Sequence, residues 1–374
     1  MATSSASLYC PLIQRMVNSG EPSNSTGKIS ALAVSMVSLH GFISCFGILE
    51  NLLILGVVGF HVRRSVISIW ILNLAASDLL ATASLPFFTL FMARGHTWTL
   101  GTTFCRLHSS MFFLNMFVSG FLLAAISLDR CLVVLRPVLA QNHRSIRLVG
   151  KVCALIWALA LLCTIPFYVF RDTVQKQNGK VICYYNYAQH LPSGHFDLAS
   201  VCRSRQQTMG FMKLFLAFLI PLVVIITSYA AVTARLASRG CRRSFRFVRL
   251  VVAVVMSFVL CWAPYHLFST MEVLAHDGSS LERFVGRALP IAASITFLNS
   301  VLNPVLYVFS CPDLCSKIRH SFGAVMETVL AEDLLDFGRR RNTAHSINGS
   351  SEVGMRGRPS LPTISLRAED AEEQ

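Results

Sequence analysis

Seven times along this chain apolar residues run for more than 20 positions with few charges, at about 32–60, 67–92, 104–134, 149–170, 209–236, 247–275 and 285–309. About 20 such residues in an α-helix cross the hydrocarbon core of a bilayer, and a helix pairs its backbone groups within itself, as lipid demands. The fold class that follows is an all-α membrane protein, a bundle of seven transmembrane helices. Pro86, Pro166, Pro221, Pro264 and Pro304 interrupt five of the runs. In water they would argue against long helices, but in a membrane bundle neighbouring helices re-satisfy the freed groups. Only 14% of the residues are charged, against about 25% in a soluble domain.

The formal net charge is +14, a balance that in a soluble protein would suggest nucleic acid. Here the cations sit between the runs, and no nucleic-acid partner is expected. The turn holding His61, Arg63 and Arg64, the stretch 130–151 and the stretch 235–249 are rich in Arg with almost no acid, which marks that side as cytoplasmic. A plasma-membrane protein with its N-terminus outside and its C-terminus inside is expected. The first thirty residues lack the apolar centre of a signal peptide. The organisation reads as an extracellular segment at 1–31, the bundle at 32–309, an amphipathic membrane-surface helix at 310–330 and a disordered cytoplasmic tail at 331–374. Leu314, Ile318, Phe322, Val325 and Val329 recur at helical spacing in the third part. Asn24 opens a sequon on the outer side, and Cys311 and Cys315 are palmitoylation candidates. Thr343, Ser346, Ser350 and Ser351 are candidate phosphorylation sites for receptor kinases and arrestin. The outer loops carry Arg94, Arg106, Arg171, Lys176, Lys180, Arg203 and Arg205, which blurs the inside-positive contrast and points to an acidic ligand.

Asp78 lies inside the second run, where an acid costs roughly 2.5–3.5 kcal/mol to insert. Asn51, Asn115, Ser119, Asn299, Ser300 and Asn303 fall at similar depth. An anionic Asp among neutral oxygens suits sodium or a proton; a hydrated network that holds the helices together is the other reading. Asp129-Arg130-Cys131 stands where the third run meets the cytoplasm, either as a local pair that opens on docking or as a solvated pair at a helix end. Cys261-Trp262-Ala263-Pro264 and Asn303 to Tyr307 place kinks beside polar or aromatic residues, as a bundle needs if its inner half is to swing outward.

The outer half combines Phe87, Phe88, His108, Phe112, Phe113, Tyr184, Tyr185, Tyr265 and Phe297 with Arg171, Lys180 and Lys213. Lys213 lies about two turns before Pro221, deep enough that an unpaired ammonium is costly. A ligand carboxylate would be its partner, unless it snorkels to the interface or pairs with Glu272. Four of the 12 cysteines fall on the outer side: Cys10, Cys105 at the top of the third run, Cys183 and Cys202. His40, His61, His108, His143 and His266 are scattered, so no catalytic or metal constellation, and no enzyme, is expected. No internal repeat with a fixed period is apparent, which removes one argument for an ion-coupled transporter without excluding one.

Asn51, Leu74 to Asp78, Asp129-Arg130-Cys131, Trp157, Pro221 with Tyr229, Cys261 to Pro264 and Asn303 to Tyr307 together resemble the rhodopsin-type G-protein-coupled receptors, in order and across all seven runs. The resemblance implies that Asp129, Arg130, Tyr229, Trp262, Pro264, Asn303, Pro304 and Tyr307 act as activation switches. It also implies that the Asp78 cluster holds an allosteric sodium ion, and that Cys105 pairs with Cys183. Cys10 and Cys202 are then left as a candidate second bridge that would tie the N-terminal segment over the pocket, with two free thiols as the alternative. Cys131 departs from the family's usual Tyr. Further stretches, including Ser84 to Phe88, Leu100 to Phe117, Phe170 to Asp172, Cys183 to Asn186, Cys261 to His266 and Ser310 to Asp313, are similar to the leukocyte chemoattractant receptors. That group holds the formyl-peptide receptors and a chemoattractant type of prostaglandin D receptor. It implies that Arg171, Tyr185 and Lys213 take a ligand carboxylate, with Lys180 at a positive entrance. Phe112, Tyr184, Trp262, Tyr265 and Phe297 would line the apolar pocket, and His108, Phe87, Phe113 and Leu289 are further ligand-binding candidates. The implied ligand is an acidic lipid of the prostaglandin D kind, with a peptide chemoattractant as alternative, and the implied transducer is an inhibitory Gi protein.

Overall fold

Among the described residues, seven helices are long and apolar enough to cross a membrane: Val34–His61, Val66–Ala93, Gly101–Leu135, Ile146–Val169, Leu198–Ser238, Val252–Leu274 and Ser280–Leu306. They are called the first to seventh spans below. The computed structural model describes residues 9–18, 31–95, 97–191, 197–238, 244–275 and 279–310, with the backbone alone at 31–33, 244–251 and 307–310. Asn24, Cys311, Cys315, the side chain of Tyr307, the amphipathic stretch from 311 onward and the tail lie outside the described residues.

Several spans begin where a short polar side chain satisfies free amide groups. Ser65 and Ser68 form a reciprocal capping box, with hydrogen bonds of 3.2 and 2.7 Å. Ser145 accepts from the Leu148 amide at 3.2 Å, Asp197 from Ala199 at 3.1 Å and Ser279 from Glu282 at 3.1 Å. Leu155, Leu162, Ile165 and Val223 project outward, exposed in the protein alone, as a helix facing lipid requires. Pro221 follows a π-helical stretch at Lys213–Leu219, a local change of winding that accommodates the missing amide.

Small residues let the helices close. A Cβ placed on Gly120 of the third span would come 2.8 Å from the Ala217 carbonyl oxygen of the fifth, so only glycine permits that approach. Between the second and fourth spans, Trp157 donates its indole N–H to Asn73 at 3.0 Å. Phe117, Phe167, Phe258 and Trp262 are among the largest fully buried side chains, and they set the axis of the core.

The outer face holds structure that apolar periodicity did not suggest. Strands β1 (Arg171–Gln175) and β2 (Val181–Tyr185) pair antiparallel, with Arg171 opposite Tyr185. Gly179 turns the hairpin at φ +77°, a conformation glycine adopts without strain. Cys183 of β2 is disulfide-bonded to Cys105 of the third span, and Cys10 to Cys202 of the fifth. The second bridge tethers a short helix, α1 (Pro11–Asn18). It is held further by an Arg15–Glu282 ion pair at 3.2 Å and by a Gln177 amide donated to the Val17 carbonyl at 3.2 Å. The fifth span starts at Leu198, ahead of its apolar run at 209. Its polar first turns stay helical because Cys202 is bridged and Arg205 donates to the Tyr187 and Gln189 carbonyls, both at 2.8 Å.

Candidate ligand-binding site

A cavity of about 270 Å³ opens beneath the hairpin and α1, among the outer ends of the spans. Its aromatic wall is continuous. Phe112 meets Tyr265 at 5.3 Å and Phe297 at 5.6 Å between ring centroids, and Phe113 stacks on Phe167 at 4.1 Å. Rings in such offset and edge-on contacts supply apolar area with defined shape. Leu289, Pro290 and Ala293 close the side of the seventh span.

Two cations are set into this wall. Lys213, 6% exposed, donates to Ser269 Oγ at 2.7 Å and sits 5.8–5.9 Å from the centroids of Phe113, Phe167 and Tyr265. No described carboxylate lies within ion-pair distance of its Nζ. The sequence left open a Lys213–Glu272 pair; Glu272 instead accepts from the Tyr184 hydroxyl. Burial, reinforced by the Glu272 charge, pushes the Tyr184 phenol well above the ordinary tyrosine range, so Tyr184 stays a donor. The Arg171 guanidinium lies 4.5 Å over the Tyr185 ring. His108 Nε2 is buried without a hydrogen-bond partner, and the buried Tyr185 hydroxyl has the Arg171 guanidinium as its polar neighbour. An unpaired buried polar group such as the His108 nitrogen is costly, and a ligand's oxygen would satisfy it.

Ten of the expected ligand residues therefore surround one cavity: His108, Phe112, Phe113, Arg171, Tyr184, Tyr185, Lys213, Tyr265, Leu289 and Phe297. Three do not line it. Lys180 is exposed and donates to the Gly95 carbonyl at 3.3 Å. Phe87 points outward against Phe104 at 4.7 Å, because it is one position out of phase with the inward-facing Phe88. Trp262 lies behind the wall, 2% exposed and 6.4 Å from Phe112. Met16, Phe91, Trp98, Ser109, Glu272 and Gly286 also line the cavity and were not expected there. Met16 gives no sequence signal at all, since contacts between distant segments, the Cys10–Cys202 bridge, the Arg15–Glu282 pair and the Gln177–Val17 hydrogen bond among them, bring α1 across the opening.

Below the cavity the polar cluster assembles around Asp78, which is fully buried. Asn303 donates to Asp78 Oδ2 at 2.8 Å and Asn115 to Oδ1 at 3.4 Å; Asn115 also reaches Ser119 Oγ at 3.3 Å. Asn51 ties the Gly47 and Ser300 carbonyls at 2.8 and 3.1 Å. Asn51 Oδ1 and both side-chain polar atoms of Asn299 lack partners, and Ser300 stands beside the Asp78 carboxylate. One carboxylate with several neutral oxygens is a donor set for a hard monovalent cation. Among the described residues no three His, Cys, Asp or Glu side chains gather as a metal site.

At the opposite end of the third span Asp129 is gripped by Arg144 through two hydrogen bonds of 2.7 and 2.8 Å, a partner the sequence reading did not consider. Tyr229 is buried near Ser127 and Arg130, while Pro264, Asn303 and Pro304 lie within their helices.

Seven spans, an outer hairpin bridged to the third span and a cavity at the outer end define a membrane receptor. Residues 50–307 match the family model for seven-transmembrane receptors of the rhodopsin family, and the chain belongs to that family of G-protein-coupled receptors. Among its relatives it is 52% identical to prostaglandin D2 receptor 2 of Mus musculus, over 91% of this chain and 88% of the relative. It is 50% identical to prostaglandin D2 receptor 2 of Rattus norvegicus, over 89% and 82%. A C3a anaphylatoxin chemotactic receptor of Oncorhynchus mykiss is 37% identical, over 78% of each chain.

Proposed function

We propose that this chain is a plasma-membrane receptor for prostaglandin D2 or a closely related acidic lipid, with its N-terminus outside and its C-terminus in the cytoplasm. The observation that carries the reading is Lys213: a buried ammonium without a carboxylate partner, on an aromatic cavity that Arg171 and Tyr185 also line. A ligand carboxylate would sit between these donors in charge-assisted hydrogen bonds, and its hydrocarbon body would fill the space among Phe112, Tyr265 and Phe297. The names of the rodent relatives support the same ligand. A small cavity crossed by α1 favours a compact lipid over a peptide.

Binding shifts a population of states already present. A ligand body pressing on Phe112 and Tyr265 reaches Trp262 behind them, and the Pro264 kink lets the inner half of the sixth span move. Arg130, Tyr229 and Tyr307 then rearrange and an inhibitory Gi protein engages, lowering cyclic AMP, raising calcium and driving leukocyte chemotaxis. A sodium ion on Asp78, with Ser119, Ser300, Asn115, Asn299 and Asn303 about it, favours the inactive state. Receptor kinases and arrestin act at the tail, and membrane lipid meets the basic loops.

The test is G-protein activation in cells expressing the chain, challenged with a panel of lipid mediators and chemoattractant peptides and combined with radioligand displacement. Activation and displacement by prostaglandin D2 are expected. A response confined to a peptide would replace the lipid reading.

A further inference from the structure

Ser269 of the sixth span accepts a hydrogen bond from Lys213 Nζ at 2.7 Å. Lys213 lines the cavity; Ser269, 4% exposed, stands behind its wall. The winding of the fifth span makes this contact possible. Lys213 opens the π-helical stretch Lys213–Leu219, in which positions five apart share a face. Phe218, five residues on, accordingly meets the same neighbour, stacking on His266 of the sixth span at 5.0 Å between ring centroids. Ammonium and ring together hold the fifth span against positions 266 and 269, which are three apart on one helix face. The charges of Glu272 and Arg171 act on Lys213 with opposite sign, and the Glu272 carboxylate is taken by the Tyr184 hydroxyl. Among the described residues a neutral hydroxyl oxygen is therefore the one hydrogen-bond acceptor of an ammonium that has three N–H groups.

We infer that Ser269 competes with the ligand's acid group for Lys213, an inference that rests on the acidic-ligand reading above. Before an acid arrives, the hydroxyl gives a buried ammonium the polar partner it needs. A carboxylate carries full charge and is the stronger acceptor. Once it neutralises the ammonium, the bond to the neutral hydroxyl loses its charge assistance, whether or not the two atoms stay in contact. Part of the free energy of carboxylate binding is thus offset by the weakened Lys213–Ser269 bond. Ser269 therefore stabilises the ligand-free fold and lowers its affinity for acids. A residue that touched the ligand favourably would act the other way, so the sign of its substitution separates the two roles.

Saturation binding of tritiated prostaglandin D2 to membranes bearing the full chain tests this, with a non-hydrolysable GTP analogue present to uncouple G proteins. Ser269→Ala is expected to bind about three- to tenfold more tightly, the range of one ordinary hydrogen bond removed from competition. Ser269→Thr keeps the hydroxyl and should bind as the wild type does. In detergent, Ser269→Ala should melt below the wild type without ligand and gain more from the same concentration of prostaglandin D2, because a ligand stabilises the folded state in proportion to how tightly it binds. Ser269→Cys, whose sulfur is a weak acceptor, should fall between Ala and wild type, and it decides the matter if Ser269→Ala does not reach the membrane. Affinity of the Ala or Cys variant equal to or below that of wild type would overturn the inference. So would a gain in Ser269→Thr equal to that in Ser269→Ala, which would assign the effect to packing. Absence of saturable binding to the wild type would instead overturn the acidic-lipid reading itself.

Discussion

Lys213 shows how much one side chain can specify. Its ammonium lies among the rings of Phe113, Phe167 and Tyr265 and has a neutral hydroxyl, Ser269, as its hydrogen-bond partner. A buried charge paired with a neutral group leaves solvation unmet, and a carboxylic ligand supplies it. Lys213→Gln is expected to weaken binding of an acidic lipid by roughly 1.5–3 kcal/mol, about 10- to 150-fold, with surface expression retained; saturation binding on intact cells measures it. Asp78 is the complementary case, an acid surrounded by amides and hydroxyls. Asp78→Asn should abolish the effect of sodium on agonist affinity, read by competition binding with and without sodium chloride. Both residues were legible from the sequence, since a charge within an apolar run has to be explained. Arg144 was not: it is one of several arginines in a basic loop, and nothing local marks it as the partner of Asp129.

At the scale of elements, α1 and the hairpin turn an open bundle into a covered cavity. α1 carries its own buried residue, Ile13, and delivers Met16 to the cavity, yet its eight residues could not hold a helix alone. The Cys10–Cys202 bridge and the Arg15–Glu282 pair keep it in place. Replacing both Cys10 and Cys202 by Ser is expected to speed ligand dissociation severalfold with a smaller change in association, since the cover is loosened while Lys213 and Arg171 remain; washout kinetics of a labelled ligand resolve the two rates. The helices themselves meet most closely at Gly120 and Ala217. Gly120→Ala should lower thermal stability by about 1–3 kcal/mol, the usual cost of overpacking a close contact, because the opposing atom is backbone and cannot rotate away. A thermal-shift assay in detergent reads that loss. Apolar periodicity located the spans to within a few residues at most ends. It missed the outer extension of the fifth span, where Arg203, Arg205, Gln206 and Gln207 are helical outside any apolar run.

For the whole molecule, the seven apolar runs alone determined the class of fold, because lipid leaves an unbroken helix as the only spanning element those runs can form. The charged exceptions within them, Asp78, Lys213 and Asp129, likewise mark the three levels at which function is proposed. What the linear pattern does not encode is phase and partnership across distance. Phe87 and Phe88 are neighbours in sequence, and the rotation of the second span decides that only Phe88 faces the cavity. Glu272 could have paired with Lys213; the fold gives it to Tyr184 instead and leaves the ammonium to meet a ligand. Met16 reaches the cavity because a bridge spans 192 residues. Hydrophobic burial and backbone satisfaction are local demands that each segment records in its own composition. A binding site is a coincidence of side chains from separate segments, and packing alone brings it about.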